Sequence, residues 1–205
     1  MSSHFKTSSA LLIVALVAFV LRLGVVAVRF DQLRLDPDDY VGLATRLAAG
    51  EGFVSESTGQ PTAYRPPLYP ILIAAILKCG GGTLALGIAQ AALGTGSVLL
   101  TAIVGQRLLD ARRAFVSAGL LAIDPLSLQY TAYAMTETLF TTLVVSLLAS
   151  GTIPTPWTTR RAFTTGILFG CAALCRPTVW PWGLLLLLIG MSAERRTSSD
   201  GRAVI

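Results

Sequence analysis

The stretch "RPPLYPILIAAILKCGGG", residues 65–82, decides how the rest of this chain is threaded. Its apolar part, Leu68 to Leu77, is about half as long as a membrane span. At about 1.5 Å per helical residue, a hydrocarbon core of about 30 Å needs about 20 residues. The segment either crosses on borrowed flanks or lies along one surface. The prolines at 66 and 67 suit a helix start, where a missing N–H costs little. The charges around the other apolar segments choose between the two threadings.

The surrounding chain has 205 residues, 53% hydrophobic and 13% charged, with a mean hydropathy of +0.67. A soluble domain has nowhere to bury that much apolar surface, so the composition implies an integral membrane protein. The net charge of +5 then marks cytoplasmic loops rather than a nucleic-acid partner. The run Ala10–Val28 is too long for a signal-peptide core and lacks a clear small-residue cleavage site, so it reads as a retained first span. Six segments are candidates to span: Ala10–Val28, Thr83–Val104, Ala114–Ala132, Thr138–Gly151, Ala162–Cys175 and Val179–Met191. The last three are short and would need flanking residues or a locally thinner bilayer.

If Leu68–Leu77 crosses, the basic loops Gln106–Arg113, Thr159–Arg161 and Glu194–Arg196 all lie outside, against the positive-inside rule. If it rests on the outer surface, Lys6, Arg107, Arg112, Arg113, Arg160, Arg161, Arg195 and Arg196 are all cytoplasmic. The second threading satisfies every short loop with one assumption. It predicts an all-α polytopic membrane protein of about six spans, forming a single membrane domain over residues 1–205. Residues 29–82 are then a long extracytoplasmic loop carrying juxtamembrane helices, 83–191 carry the further spans, and 192–205 form a cytoplasmic tail.

This threading gathers chemistry on the outer face. In "LDPDDYVGLATRLAAGEGF", residues 35–53, Asp36 has the position of an N-cap, Pro37 the first helical position, and Asp38 and Asp39 the positive end of the helix dipole. Tyr40, Leu43, Ala44 and Leu47 fall on one helical face, and Gly50 supplies the stop. Arg65 is either a snorkelling interfacial residue or a phosphate contact, since guanidinium offers two parallel donors to phosphate oxygens. Glu137 in "AYAMTETLF" is either a helix-dipole partner or a functional acid at a membrane boundary. Arg176 in "LCRPTVW" is either an interfacial anchor or a counter-charge reaching the same cavity. Together they place two acidic and two basic sites, from three loops, on one face. A carboxylate there can act as general base, and a guanidinium can hold a departing phosphate.

Other features carry less. Cys79, Cys171 and Cys175 read as small buried residues, because His4 is the only histidine and no carboxylate lies near them in sequence. Arg22 lies deep in the first span and needs a partner or a route to the surface. Gly87, Gly94 and Gly96 permit close helix packing.

The ordered set "DPDDYVGLATRLAAGEGF", "AYRPPLYPILIAAIL", "GQRLLDARRAFVSAGLLAIDPLSLQYTAYAMTETLF" and "GILFGCAALCRPTVW" resembles the N-terminal half of GT-C fold glycosyltransferases, nearest to the bacterial protein-mannosyltransferase and aminoarabinose-transferase-like group. The similarity runs from about Val20 to Gly190. It implies that Asp36, four residues before Tyr40, is the catalytic acid of a D-E-x-x-Y-like motif. Pro37 replaces the motif's second acid, which leaves Asp39 as the alternative base. It further implies that Arg65 contacts a lipid-linked phosphate, that Glu137 is the second acidic position, and that Arg176–Pro177 is the arginine-proline after the glycine-rich span. Such enzymes usually continue through further spans, often to an extracytoplasmic domain, whereas this chain ends in "SAERRTSSDGRAVI". Acceptor recognition is therefore expected in a missing half.

The function implied is transfer of a sugar from a polyprenyl-phosphate-linked donor to a lipid, glycan or protein acceptor on the extracytoplasmic face of a bacterial inner membrane. Glu137 and Arg176 would orient polar groups or a divalent cation. The rivals are a non-catalytic homologue that binds lipid carriers or a partner, and a small transporter. A transporter would want polar groups or broken helices at mid-membrane, whereas most charges here gather at the boundaries. In a background without the native cysteines, a cysteine introduced at Arg112 should stay unreactive to an impermeant thiol reagent applied to intact cells. Labelling there would turn the map over.

Overall fold

A computed structural model of the chain describes residues 2–55, 58–152 and 158–185. The described residues fold into helices α1 (Ser2–Val28), α2 (Tyr40–Ala49), α3 (Leu68–Lys78), α4 (Thr83–Leu108), α5 (Ala111–Ile123), α6 (Pro125–Thr131), α7 (Glu137–Gly151) and α8 (Thr159–Cys175), with short 3-10 turns at Phe30–Arg34 and Pro177–Val179. The fold is all-helical apart from an isolated antiparallel bridge, Val54 to Pro61. Two described helices, Ser9–Val28 and Thr83–Leu108, are long and apolar enough to cross a bilayer. The end of the sixth apolar segment, Val179–Met191, from residue 186 on, and all of the tail with Glu194–Arg196 lie outside the described residues.

The helix directions follow from side-chain contacts. Gly87 of α4 faces Val26 of α1, Gly94 faces Arg22, and Ala18 shares a buried cluster with Val98 and Ala102. The pair α1/α4 is therefore antiparallel. Residues 29–82 leave and rejoin it at the same end, and α3, with 11 residues, is too short to cross on the way.

The remaining helices extend the alternation. Gly105 meets Ala114, and Gln90 donates to the carbonyls of Thr131 (3.3 Å) and Tyr133 (2.6 Å), so α5 and α6 run back along α4. Thr142 of α7 donates to Leu93 O at 3.1 Å, and Arg107 at the far end of α4 donates to Ala149 O at 2.6 Å. Helix α7 is thus parallel to α4. Helix α8 returns along α7, from Arg161 against the Ser150 carbonyl to Arg176 against Thr136. One end of the bundle collects the 29–82 segment, the 132–136 turn and Arg176. The other end collects Arg107, Arg112, Arg113, Arg160 and Arg161.

Two local expectations are revised. The helix after the acidic stretch begins at Tyr40, not Pro37: Asp36 to Asp39 form a turn closed by Asp39 N–H to Asp36 O (3.2 Å), and Asp39 is left-handed at φ 60°. Aspartate is one of the few residues that tolerate that region. Asp36 still caps the helix, from one turn earlier. Gly50 ends it as expected, at φ 85°, with its N–H on the carbonyls of Arg46 and Leu47. The segment Ala114–Ala132 is not one helix. Pro125 forces Asp124 out of helical geometry (ψ 119°), and the Asp124 carboxylate restarts α6 by accepting from Ser127 N–H at 2.6 Å.

Arg22, without a visible partner in sequence, is 0% exposed. It donates to Ala18 O (3.3 Å) and to Ser127 Oγ of α6 (3.2 Å), and interacts electrostatically with Asp124. Its side chain fills the space that a Cβ on Gly94 would need: that Cβ would stand 2.9 Å from Arg22 Cδ. Gly94→Ala should therefore destabilise the fold by about 1–3 kcal/mol, as overpacking does. Gly96→Ala, which meets nothing within 4 Å, should leave the thermal midpoint in detergent nearly unchanged. Equal midpoints for the two variants would contradict this packing.

Candidate functional site

The apolar floor of the site is a cluster of Tyr40 and Ala44 from α2, Tyr69, Ile73 and Ala74 from α3, Leu86, Ala134, Leu139 and Cys175. It joins five helices and the 132–136 turn at one end of the bundle. The predicted stripe of α2 supplies its share: Tyr40, Leu43 and Ala44 are buried, and Leu47 packs at the margin. The Tyr40 and Tyr69 rings meet edge to face at 5.3 Å.

Charged groups stand around this floor. Asp36 accepts from Tyr40 N–H with Oδ1 and from Gly42 N–H with Oδ2, both at 2.8 Å. The spacing of four from Asp36 to Tyr40 is thus the reach of a carboxylate to the first N–H of a helix. Asp36 also lines an open groove of 410 Å³ with Val41, Gly42, Thr45, Arg46, Ala49 and Glu51. Asp39 caps nothing with its side chain.

Arg65 pairs with Asp38, Nη2 to Oδ1 at 2.6 Å, across 27 positions of sequence. Its guanidinium carbon lies 4.8 Å from the Tyr64 ring centroid and 5.5 Å from that of Tyr40. Arg176 pairs with Glu137 through Nη2 and donates from Nε to Thr136 Oγ1 at 2.8 Å. Three buried polar atoms around the floor have no hydrogen-bond partner among the described residues: Arg65 Nε, Tyr69 Oη and Glu137 Oε2. Unmet buried groups of this kind cost stability and mark places where a ligand or water would complete the bonding.

The phenols report the same convergence. Burial pushes Tyr69 above its ordinary range, and the carboxylates of Glu137 and Asp36 push the same way. Burial also raises Tyr40, against the opposing pull of the Arg65 guanidinium. The groups predicted from three separate loops therefore act on the two phenols, Asp36 and Glu137 on Tyr69 and Arg65 and Arg176 on Tyr40. Asp38, Thr136 and Tyr69 join the site without having been singled out. Only Tyr69 carried a sequence signal, one helical turn after Arg65 in "RPPLYP".

Among the described residues no group of three or more His, Cys, Asp or Glu side chains is placed to hold a metal ion. Asp38 pairs with Arg65 and Glu137 with Arg176.

Residues 64–201 match the family model described as dolichyl-phosphate-mannose-protein mannosyltransferase. The chain belongs to this family. Its members are GT-C type glycosyltransferases of the membrane, and the all-helical fold with two membrane-length helices agrees with that. No curated protein and no solved structure matches the chain. Within the mannosyltransferase match lie Arg65, Tyr69, Glu137 and Arg176; Asp36, Asp38 and Asp39 precede it.

The raised phenols give a pH signature. A folded state that raises an acid's pKa favours its neutral form, so that stabilisation is complete below the ordinary phenol value of about 10 and is lost as pH rises through the raised value. In an ultraviolet titration, Tyr69 should contribute phenolate absorbance only with alkaline unfolding. Tyr69→Phe should leave the folded-state curve unchanged. A step near pH 10 that disappears in that variant would refute the placement.

Proposed function

We propose that this protein transfers a sugar from a polyprenyl-phosphate-linked donor to a hydroxyl or amine acceptor on the extracytoplasmic face of the membrane. The observation that carries the reading is Arg65: an aromatic-flanked guanidinium, ahead of a surface-lying helix, with a buried N–H that lacks an acceptor. A phosphate at headgroup level supplies that acceptor while its polyprenyl tail stays in lipid.

The reaction balances with the residues at hand. The acceptor oxygen or nitrogen bonds to the anomeric carbon, and the bond from that carbon to the phosphate oxygen breaks. The electron pair leaves with the polyprenyl phosphate, and the acceptor proton passes to a carboxylate. Asp36, which faces the open groove along α2, is assigned that proton, with Asp39 as its alternative. Arg65 holds the departing phosphate. Glu137, kept in place by Arg176 and Thr136, offers its open oxygen to a sugar hydroxyl. The mannosyltransferase family supports a glycosyl transfer in general, and the donor class follows from the family description.

The test is donor consumption by the purified protein in proteoliposomes containing polyprenyl-phosphate mannose and a mixed acceptor pool. Asp36→Asn combined with Asp39→Asn should lower turnover by at least about 100-fold, the usual scale for a lost general base. Wild-type turnover in that double variant would end the assignment of these acids.

A further inference from the structure

We infer that Asp38 occupies, in the resting protein, the place on Arg65 that a substrate phosphate takes, so that donor binding and release of the Asp38 carboxylate are one event. This rests on the reading of Arg65 as the donor-phosphate residue.

A guanidinium presents two parallel donors, Nε–H and one Nη2–H, along a single edge, and that edge matches two oxygens of a carboxylate or phosphate. The two arginines of the site use this edge differently. On Arg176 it is full: Nη2 is on Glu137, and Nε is on Thr136 Oγ1 at 2.8 Å. On Arg65 it is half full: Nη2 is on Asp38 Oδ1 at 2.6 Å, while Nε is buried with no acceptor. The Arg65 guanidinium carbon also lies over the Tyr40 and Tyr64 rings, which hold the group beside the floor.

Asp38 is therefore a one-oxygen occupant of a two-oxygen position. A phosphate ester can satisfy both donors at once, so it fits this edge better than Asp38 does. A phosphate on this edge would bring its charge against the Asp38 carboxylate, and like charges at that range repel. Asp38 is also free to leave without undoing its surroundings. Its side chain lies ahead of α2, and the bonds that start α2 are made by Asp36 instead. The neighbouring pair has no such exit, because Glu137 is itself the first residue of α7. Asp38 is thus a positioning residue: it keeps Arg65 charge-balanced and aimed in the empty state and yields to the donor.

The experiment is equilibrium binding of farnesyl phosphate, a short polyprenyl phosphate, to the detergent-solubilised full chain, with inorganic phosphate as a second probe. Asp38→Ala should bind farnesyl phosphate about fivefold more tightly than wild type, the scale of one partly exposed ion pair removed as competitor. Arg65→Ala should lose most of the affinity, and in that background Asp38→Ala should have no further effect. Asp38→Asn, which keeps the shape of the side chain, should tighten binding in the same direction and guards against a folding defect in the alanine variant. Tightening towards inorganic phosphate as well would show that the phosphate alone displaces Asp38; tightening towards farnesyl phosphate only would show that the lipid tail is needed. Unchanged or weaker binding in both Asp38 variants, with Arg65 still required, would overturn this inference and leave the donor reading standing. Absence of farnesyl phosphate binding to wild type, or binding indifferent to Arg65, would overturn both.

Discussion

The guanidinium of Arg22 lies where Gly94 has no side chain, and the path of the whole chain depends on that contact. It lets α1 and α4 approach closely enough for Val26 to reach Gly87 and for Ala18 to reach Val98 and Ala102. Once those two helices are locked antiparallel, the 29–82 segment must begin and end at one end of the bundle. The third element of the lock is α6. Ser127 accepts from Arg22 because Pro125 breaks the α5/α6 segment and Asp124 restarts it at that level. A buried cation, a proline break and a bare glycine are each costly alone. Here each meets a need of another.

The site at the returning end shares a logic with this lock but leaves it incomplete. Arg22 is buried, Arg65 and Arg176 are partly buried, and each has a counter-charge nearby. The lock leaves Arg22 Nε unmet, and the site leaves more. Arg65 Nε, Tyr69 Oη and Glu137 Oε2 surround one apolar floor and have no partner among the described residues. Of the six buried side-chain atoms left unmet among the described residues, three therefore stand around this floor.

Much of this was legible in the sequence because membrane physics constrains so few arrangements. The short length of Leu68–Leu77 and the arginines at 107, 112, 113, 160 and 161 were enough to place Asp36, Arg65, Glu137 and Arg176 at one end. The start of α2 was misread by a few residues, because a left-handed aspartate at 39 looks like any other acidic residue near a helix start. Asp38 was passed over for the same reason: only the turn that Asp39 makes carries it back to Arg65. The break at Asp124–Pro125 was visible as a dipeptide, yet the apolar residues on both sides outweighed it. Arg22 could not be solved from sequence, since its partners lie 72 and 105 positions away on two other helices.

The basic end of the bundle has a further meaning. Arg107 and Arg161 come from different helices, and both bond the last carbonyls of α7, at Ala149, Ser150 and Gly151. Positive charges near span ends are what cellular insertion reads when it orients a membrane chain. These two guanidiniums also plug the electronegative terminus of a helix that carries Glu137 at its opposite tip. Loss of either arginine would leave the α7 carbonyls it bonds without their guanidinium donor. The side chains that make this end of the bundle positive therefore also close the terminus of α7.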